Sequence, residues 1–355
     1  MKTVLNKKNY NILDNPMFLG KDLGLQRFDI IKYPVFQDLR RKMQSFMWSP
    51  EEINLINDRT QFEAMNETER FVFTENIKFQ TMGDSMLSRT IDTITQYVTN
   101  AELEYLLKTH ASFECIHSES YTWILQNITD DATEFLDSIM ENKQIVERAE
   151  DITTSFDALL GKSRSDRNIK DTIFKAVLSL QIAEGLFFYS SFACSFWFGS
   201  RGIMRGNADI IKLISKDEHL HLSVTQNIMK IWKNDESEGF KKVMERNEDL
   251  IYETYRLAVE KEKQWVEYLF SKGSLIGLNE KILSAYIEWL ANIRLGNLGY
   301  KKLYDQKENP LRGWINEYYD SSKTASMPQE SEITSYSKGS QNVKVDLDKL
   351  KEIEL

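Results

Sequence analysis

Proline is scarce in this sequence, and its placement limits the fold. The chain of 355 residues has five prolines, at positions 16, 34, 50, 310 and 328. No proline therefore interrupts residues 51–309, where it would remove a backbone donor from a helix. Apolar residues in this stretch recur at helical rather than alternating spacing. The sequence predicts an all-α fold built from long helices.

The sequence also has few cysteines, no net positive charge and no recognisable export signal. Cys115 and Cys194 are too few for a disulfide framework and suit a reducing compartment. The net charge of −9 offers nothing to offset phosphate repulsion, which argues against a nucleic-acid-binding protein. The N-terminal residues have no apolar core of signal-peptide length. We expect a cytoplasmic protein that does not bind nucleic acid.

One apolar run is long enough to cross a membrane. Residues 176–198 carry a single charge, Glu184. Several serines, a glutamine and the absence of a second span argue against insertion, and a carboxylate at mid-depth costs about 2.5–3.5 kcal/mol. We therefore predict a fully buried helix, with no membrane partner.

Capping signals divide the chain into helices. The predicted N-caps are Ser49, Asn66, Thr99, Asn207 and Asn279. The predicted helices cover residues 50–57, 67–97, 101–128, 132–148, 152–160, 167–199, 207–233, 236–271 and 279–304. Several exceed 25 residues, which is typical of helical bundles. We predict one ferritin-like helical domain over residues 1–320, whose first 47 residues form a largely irregular arm.

The C-terminal residues differ in composition from the rest. From position 321 serine, lysine, glutamine and glutamate replace most large apolar groups, which predicts a flexible tail over residues 321–355. Apolar residues return at intervals over positions 343–355. A flexible linker that ends in a short amphipathic segment suits docking on a partner protein.

Histidine is rare, and two of the four histidines share one pattern. His117 and His221 each follow a glutamate, Glu114 and Glu218, by three residues. Residues three apart lie on one face of a helix, so each pair can offer an oxygen and an imidazole nitrogen to the same ion. Two such pairs among four histidines arise by chance about one time in ten, so this pattern alone is only suggestive.

Two further carboxylates complete the pattern. Asp84 precedes Glu114 by 30 residues and Glu184 precedes Glu218 by 34, each on a separate predicted helix. Carboxylates from two helices and Glu-x-x-His pairs from two others build the dimetal sites of ferritin-like bundles. Four anionic side chains would neutralise two divalent ions in a dry interior, where they are costly without metal. Oxygen and imidazole ligands without thiolate favour iron or manganese. Singly, each residue has an ordinary structural explanation, and only their joint order indicates a metal site.

Tyr121 lies close to this pattern. It follows Glu114 by seven residues, which places it about 20° away around a helix axis, on the metal-facing side. A phenol there is open to oxidation by a species derived from O₂, and the alternative is a core tyrosine with a satisfied hydroxyl. Phe188, Phe192 and Ile214 are predicted to converge on the same region as an apolar wall, or to serve as plain core.

Longer motifs connect these residues to a known family. They are Met47-Trp48-Ser49-Pro50-Glu51-Glu52, Phe113-Glu114-Cys115-Ile116-His117-Ser118, Ser120-Tyr121-Thr122 and Asp217-Glu218-His219-Leu220-His221-Leu222. On these motifs the chain resembles the small, radical-generating subunit of class I ribonucleotide reductase. The similarity covers most of residues 15–235 in order.

The resemblance implies a role for each site residue. The metal ligands would be Asp84, Glu114, His117, Glu184, Glu218 and His221. They would hold two iron ions, oxo-bridged when oxidised, with manganese as the alternative. Tyr121 would carry a tyrosyl radical generated with O₂, and Phe188, Phe192 and Ile214 would line its pocket.

The resemblance also implies a route for the radical. Trp48 and Asp217 would link the metal site to the surface, with Asp217 bonded to His117. Tyr336 in the tail would pass the radical to the large catalytic subunit, which reduces ribonucleotides to deoxyribonucleotides. The extreme C-terminus would dock on that subunit, and the small subunit would be a homodimer.

Some positions depart from the family pattern. Glu119 stands where arginine is frequent, His110 replaces an aromatic residue, and Met82-Gly83 replaces two leucines. We expect none of them to touch a ligand. Tyr121 and Asp84 argue against the subclass that uses phenylalanine and a manganese–iron centre.

Two other functions are compatible with a dimetal bundle. The first is a stand-alone dimetal oxidase or desaturase that acts on an apolar substrate, and the second is an iron-storage protein or helical scaffold. A tail that carries Tyr336 disfavours the first, and the Trp48–Asp217 pair disfavours the second.

Overall fold

The computed structural model describes residues 3–319, which form a bundle of α-helices. The helices are α1 Pro34–Ser45, α2 Asp58–Glu63, α3 Glu67–Thr95, α4 Ala101–Ile128, α5 Ala132–Asp137, α6 Lys143–Asp157, α7 Ile169–Ile182, α8 Tyr189–Ser200, α9 Arg205–Asn234, α10 Lys241–Arg246, α11 Glu248–Leu269, α12 Glu280–Asn297 and α13 Asn316–Tyr319. Within the described residues the only β-type pairings are two isolated bridges. The all-α prediction is confirmed.

The centre of the bundle is built from its longest helices. Helix α3 packs along α4, α8 packs along α9, and α4 also contacts α9. Each presents a wide apolar face, so the inner side chains are almost completely removed from water. The outer helices α11 and α12 pack on each other and on the segment between α7 and α8. This arrangement brings α3, α4, α9 and the α7–α8 segment together around one interior.

The α7–α8 segment contains an irregular turn. A single π-helical stretch, Ala183–Phe187, lies between the two α-helices. Such turns insert an extra residue into a helix and occur frequently at functional sites. The segment Ile169–Ser200 is long and apolar enough to cross a membrane, but 94% of its most apolar 18-residue window is buried inside the bundle. The prediction of a buried helix is confirmed.

The helix caps agree with the sequence in some places and differ in others. Asn66 and Asn279 cap α3 and α12 as predicted. At α4 the cap is Asn100, because Thr99 uses its hydroxyl to bond the carbonyl of Pro16 at 2.8 Å. Helix α9 begins before Asn207, so Asn207 is not its N-cap. The backbone N–H groups of Gly206 and Asn207 instead donate to the carboxylate of Asp58, which belongs to α2.

Other boundaries also differ from the predicted ones. The N-terminal arm contains α1, which begins at Pro34 and buries Phe36 and Met43 against the bundle. The predicted helix over residues 50–57 is only a 3₁₀ turn, Pro50–Glu52. The predicted helices over 132–148 and 236–271 are each divided in two, with breaks at 138–142 and at Asn247. The predicted tail over residues 321–355 lies outside the described residues.

Candidate metal centre

The six residues predicted as ligands meet in the interior of the bundle. Helix α3 provides Asp84, α4 provides Glu114 and His117, the π-helical turn provides Glu184, and α9 provides Glu218 and His221. Helical spacing of three places each Glu-x-x-His pair on one face, so both its side chains point inward. The side chains of all six are fully buried.

His117 faces three carboxylates. Its Nδ1 atom lies 3.1 Å from Glu218 Oε1, 3.5 Å from Glu114 Oε2 and 3.8 Å from Asp84 Oδ2. These donors all lie within 4.8 Å of one another, a spacing that fits a single ion. One imidazole nitrogen and three carboxylate oxygens are suitable ligands for a first-row divalent metal.

His221 has a matching environment. Its Nδ1 atom lies 2.8 Å from Glu114 Oε1, 3.4 Å from Glu218 Oε2 and 3.6 Å from Glu184 Oε2. It therefore also faces three carboxylates, and a second set of mutually close donors contains His110, Glu114, Glu184 and His221.

The surroundings of His117 and His221 share Glu114 and Glu218. Each of these glutamates directs one oxygen towards His117 and its other oxygen towards His221. Asp84 lies only on the His117 side and Glu184 only on the His221 side. Two central carboxylates, flanked by one carboxylate and one imidazole at each end, are the arrangement that a bridged pair of ions requires.

The hydrogen bonding of this cluster is incomplete among the residues that the structure describes. Both carboxylate oxygens of Asp84, Glu114 and Glu218 lack a hydrogen-bond partner there, as do the Nδ1 atoms of His117 and His221. Buried polar groups are nearly always paired, so a group of orphaned atoms needs an explanation. Their chemistry, four carboxylates and two imidazoles, fits two divalent cations, which would satisfy these atoms together.

The protonation of the metal-free cluster is strongly perturbed. Burial, followed by repulsion from neighbouring carboxylates, raises the pKa of Asp84 and of Glu184 well above the usual range. Burial also opposes the charged form of Glu114, but the cation of His221 and the other imidazoles outweigh it and hold its pKa well below normal. The carboxylates of Asp217 and Glu114 likewise outweigh burial and raise the pKa of His117. The cluster therefore holds protons where metal ions would otherwise balance the charge.

Tyr121 lies beside the His117 end of the cluster. It is fully buried, and its hydroxyl has no hydrogen-bond partner within residues 3–319. Burial, then the negative charge of Asp84, raises the pKa of its hydroxyl well above normal. The sequence prediction that Tyr121 faces the carboxylates is consistent with this electrostatic influence.

The three predicted pocket residues all lie in the buried core of the bundle. Phe188, Phe192 and Ile214 are fully buried, and the first two have stacked rings with centroids 5.9 Å apart. Gly83 explains part of the packing, since a Cβ atom there would lie 2.8 Å from the Phe188 ring. The unusual glycine next to Asp84 therefore makes room for this phenylalanine.

A hydrogen-bonded chain leads away from His117. Its Nε2 atom lies 3.2 Å from Asp217 Oδ2, and the indole N–H of Trp48 donates to the same oxygen at 2.8 Å. The rings of Trp48 and His117 are nearly parallel, with centroids 6.3 Å apart. The predicted bond between Asp217 and His117 is present, and Asp217 fixes the orientation of the imidazole.

His110 is the residue whose environment the sequence did not predict. Its Nε2 atom lies 3.0 Å from Glu184 Oε1 and 3.2 Å from Glu114 Oε1. We expected that the residues departing from the family pattern would not touch a predicted metal ligand, and for His110 this expectation is wrong. Burial and then the nearby cation of His221 lower its pKa to about 4, which keeps it neutral. The signal in the sequence for this contact was that His110 precedes Glu114 by four residues, which is about one helical turn.

Glu119, another residue that departs from the family pattern, is exposed to solvent.

One predicted site residue has no structural description. Tyr336 and the proposed docking segment at the C-terminus lie outside residues 3–319. The remaining predicted site residues, from Trp48 to His221, all belong to the described part of the chain, where they are buried in the bundle interior.

Comparison with known proteins identifies the family. The family model of the ribonucleotide reductase small chain matches residues 27–310. The ribonucleoside-diphosphate reductase subunit beta of Buchnera aphidicola subsp. Schizaphis graminum is 39% identical in an alignment that covers 94% of this chain and 94% of that protein. The ribonucleoside-diphosphate reductase 1 subunit beta of Escherichia coli O157:H7 is 36% identical over 99% of both chains.

A solved structure gives the same result. The ribonucleotide reductase R2 subunit from Clostridium botulinum superposes with a TM-score of 0.81 at 31% identity, covering 89% of this chain and 98% of that one. These similarities favour neither a stand-alone oxidase nor a storage protein. The chain therefore belongs to the ribonucleotide reductase small-chain family and is a small subunit of the class I oxidoreductase.

Proposed function

We propose that the six convergent side chains hold two iron ions. The observation that carries the proposal is the shared use of Glu114 and Glu218, whose two oxygens face opposite imidazoles. Four carboxylates balance two divalent charges, and ligation by oxygen and imidazole suits iron, with manganese as the alternative. His117 and Asp84 belong to one ion, and His221 and Glu184 belong to the other.

When bound, a metal pair in this site would supply the reduction of O₂ and thereby the oxidising equivalent that the protein needs. The chain's own residues position the ions and exclude water. Asp217 holds His117 in one orientation through its hydrogen bond, and the tightly packed helices keep the carboxylates away from solvent. The site is thus protected from reductants in solution.

Tyr121 is proposed as the site of the stable radical. Oxidation of a phenol requires the loss of its hydroxyl proton, and Asp84 is the carboxylate whose charge acts most strongly on that hydroxyl. Complete burial of Tyr121 and the apolar side chains of Phe188, Phe192 and Ile214 support a long-lived radical, because no polar solvent reaches the ring.

The Trp48–Asp217–His117 chain is proposed as the route between the metal centre and the surface. An indole and an imidazole that share one carboxylate allow an electron and a proton to move in short steps. From there we propose that Tyr336 passes the radical to the large subunit, with which a small subunit of this family works. Docking through the C-terminus and assembly as a homodimer complete the proposal, both on the family resemblance.

The radical assignment is tested by reconstitution. Metal-free protein loaded with Fe(II) and O₂ is expected to give a sharp tyrosyl EPR signal that is lost in Tyr121→Phe, with the iron content unchanged. Tyr255→Phe is a matched control, because Tyr255 is equally buried but its hydroxyl is bonded to Gln181. Survival of the signal in Tyr121→Phe would refute the assignment.

The proposed transfer is tested separately. Tyr336→Phe is expected to abolish ribonucleotide reduction in the presence of the large subunit while the EPR signal of Tyr121 remains. Full turnover by this variant would show that the radical leaves by another residue.

A further inference from the structure

His110 is a buried histidine that the proposed chemistry does not use. It lies on α4, one turn before Glu114, and is fully buried. Tyr121 lies on the same helix, seven residues after Glu114. The two residues thus flank Glu114 along α4, Tyr121 beside Asp84 and His110 beside Glu184.

The shortest contact of His110 is with one oxygen. Its Nε2 atom forms a hydrogen bond with Glu184 Oε1 at 3.0 Å and lies farther, at 3.2 Å, from Glu114 Oε1. The other oxygen of Glu184, Oε2, has no partner in the described chain and faces His221 Nδ1 at 3.6 Å. The His110 ring is also stacked on that of His221, with centroids 3.7 Å apart.

We propose that His110 is a positioning residue for the metal on the His221 side. Its Nε2–H donates to Glu184 Oε1 and directs Oε2 alone towards the ion, while its ring fixes the plane of the His221 imidazole. The inference rests on the proposed metal centre. It assigns to His110 the role of an outer partner that orients two ligands and binds no metal itself.

The direction of the hydrogen bond follows from the state of the ligands. A carboxylate that binds a metal is ionised and can only accept, so the proton must belong to the imidazole. His110 lies in the same group of mutually close donors as Glu114, Glu184 and His221. Without His110, the metal on this side still has four protein donors, Glu114, Glu184, Glu218 and His221. The same number serves the other side, where Asp84 and His117 replace Glu184 and His221. A further imidazole ligand is therefore not needed.

This arrangement makes the two ends of the centre unequal. Both oxygens of Asp84 lack a hydrogen-bond partner among the residues described, whereas Glu184 has one oxygen held by His110. Loss of an outer hydrogen bond of this kind lowers metal affinity about 10- to 100-fold. We expect loss of the His110 N–H to weaken one of two bound ions and to leave the other unchanged.

The test uses Mn(II) added to the metal-free full-length protein, with unbound Mn(II) measured by EPR. The unaltered protein is expected to bind two ions. His110→Phe keeps a ring but removes the N–H, and should weaken one ion about 10- to 100-fold. His110→Gln places an amide N–H near the position of Nε2 and should restore most of the affinity. His219→Phe is the matched control, because His219 lies on α9 outside both donor sets.

Rescue by glutamine separates positioning from general packing, since glutamine lacks the ring. Two ions bound with unchanged affinity in His110→Phe would overturn the inference and leave the proposed metal centre intact. Failure of the unaltered protein to bind any Mn(II) would instead refute the proposed centre.

A second measurement needs no substitution. Pulsed EPR of Mn(II)-loaded protein labelled with ¹⁵N-histidine counts the nitrogens bound directly to each ion. One nitrogen per ion is expected, from His117 and His221. Two nitrogens on one ion would make His110 a ligand and would contradict its role as an outer partner.

Discussion

Two of the groups of buried charged side chains in this bundle differ in how their carboxylate oxygens are satisfied. Glu262 on α11 has a partner for each oxygen, since Arg148 forms an ion pair with one and Ser190 donates to the other at 2.6 Å. The Arg148 guanidinium also lies over the Phe79 ring, 4.1 Å from its centroid. Both carboxylate oxygens of Glu262 are therefore satisfied within the protein, although the Nε atom of Arg148 has no partner among the described residues.

The carboxylate–histidine cluster has the opposite character. It contains more buried charge than the Glu262 network, yet most of its oxygens are unpaired in the described part of the chain. Burial alone therefore does not distinguish a ligand site from a structural ion pair. A concentration of unpaired carboxylate oxygens does distinguish the two, because a folded chain rarely buries such atoms together without a binding partner for them.

The largest expected change in unfolding free energy concerns the ion pair between Arg148 and Glu262. Glu262→Ala leaves the Arg148 cation buried without its partner, which should cost about 3–5 kcal/mol of unfolding free energy in urea. Replacing both residues by methionine should restore most of the loss, since a packed apolar pair is often as stable as a buried ion pair. An equally large loss in the double variant would contradict this account.

Each bound metal ion should stabilise the carboxylate–histidine cluster by a similar amount. At a free metal concentration about 1,000-fold above Kd, binding to the folded state alone adds about 4 kcal/mol per site. The unfolding midpoint of the protein should therefore rise on addition of Fe(II) under anaerobic conditions and fall again with a chelator. The shift should disappear in Glu218→Ala, which removes a shared carboxylate, and should persist in Ser190→Ala.

Metal loading should also release protons. The raised pKa values of Asp84 and Glu184 mean that these carboxyls hold protons in the metal-free protein near neutral pH, and the raised pKa of His221 keeps its imidazole charged. Ligation needs the deprotonated forms, so affinity falls as pH falls, about tenfold per pH unit for each proton released. Calorimetry in buffers of different ionisation enthalpy measures this number, and a value of zero would contradict the assigned protonation.

The smallest effect is expected from Glu184→Gln in metal-free protein. Since burial raises the pKa of Glu184 and favours its neutral form, an amide replaces it with little change in charge. Unfolding free energy should change by about 1 kcal/mol or less, which is the net contribution of one hydrogen bond. Metal binding should nevertheless weaken strongly. A large loss of stability without metal would place Glu184 with Glu262 among the structural charges.

The sequence predicted which six side chains converge in the interior better than it predicted their surroundings. Spacing of three between Glu114 and His117 is a local property of a helix, so it could be recognised directly. The contact between His110 and Glu184 depends on how α4 meets the π-helical turn, which no local spacing reveals.

The helix caps also show that local contacts are easier to predict from sequence than contacts between distant segments. Asn66 caps the helix that follows it in the chain and was predicted correctly. Asp58 supplies the cap of α9 from a different helix, about 150 residues earlier in the chain, so its role becomes visible only in the folded structure. Helix α1 was missed for a different reason, because its local signals, Pro34 at the start and the seven-residue spacing of Phe36 and Met43, were overlooked in an arm predicted to be largely irregular.

The π-helical turn at Ala183–Phe187 has one further consequence, for changes in chain length. Each residue of an α-helix advances the following residues by about 100° around the axis. Deleting a single residue from this turn would rotate α8 against Glu184 and carry Phe188 and Phe192 away from α3. The segment should consequently tolerate many conservative replacements, whereas a one-codon deletion would separate the carboxylate from its aromatic neighbours.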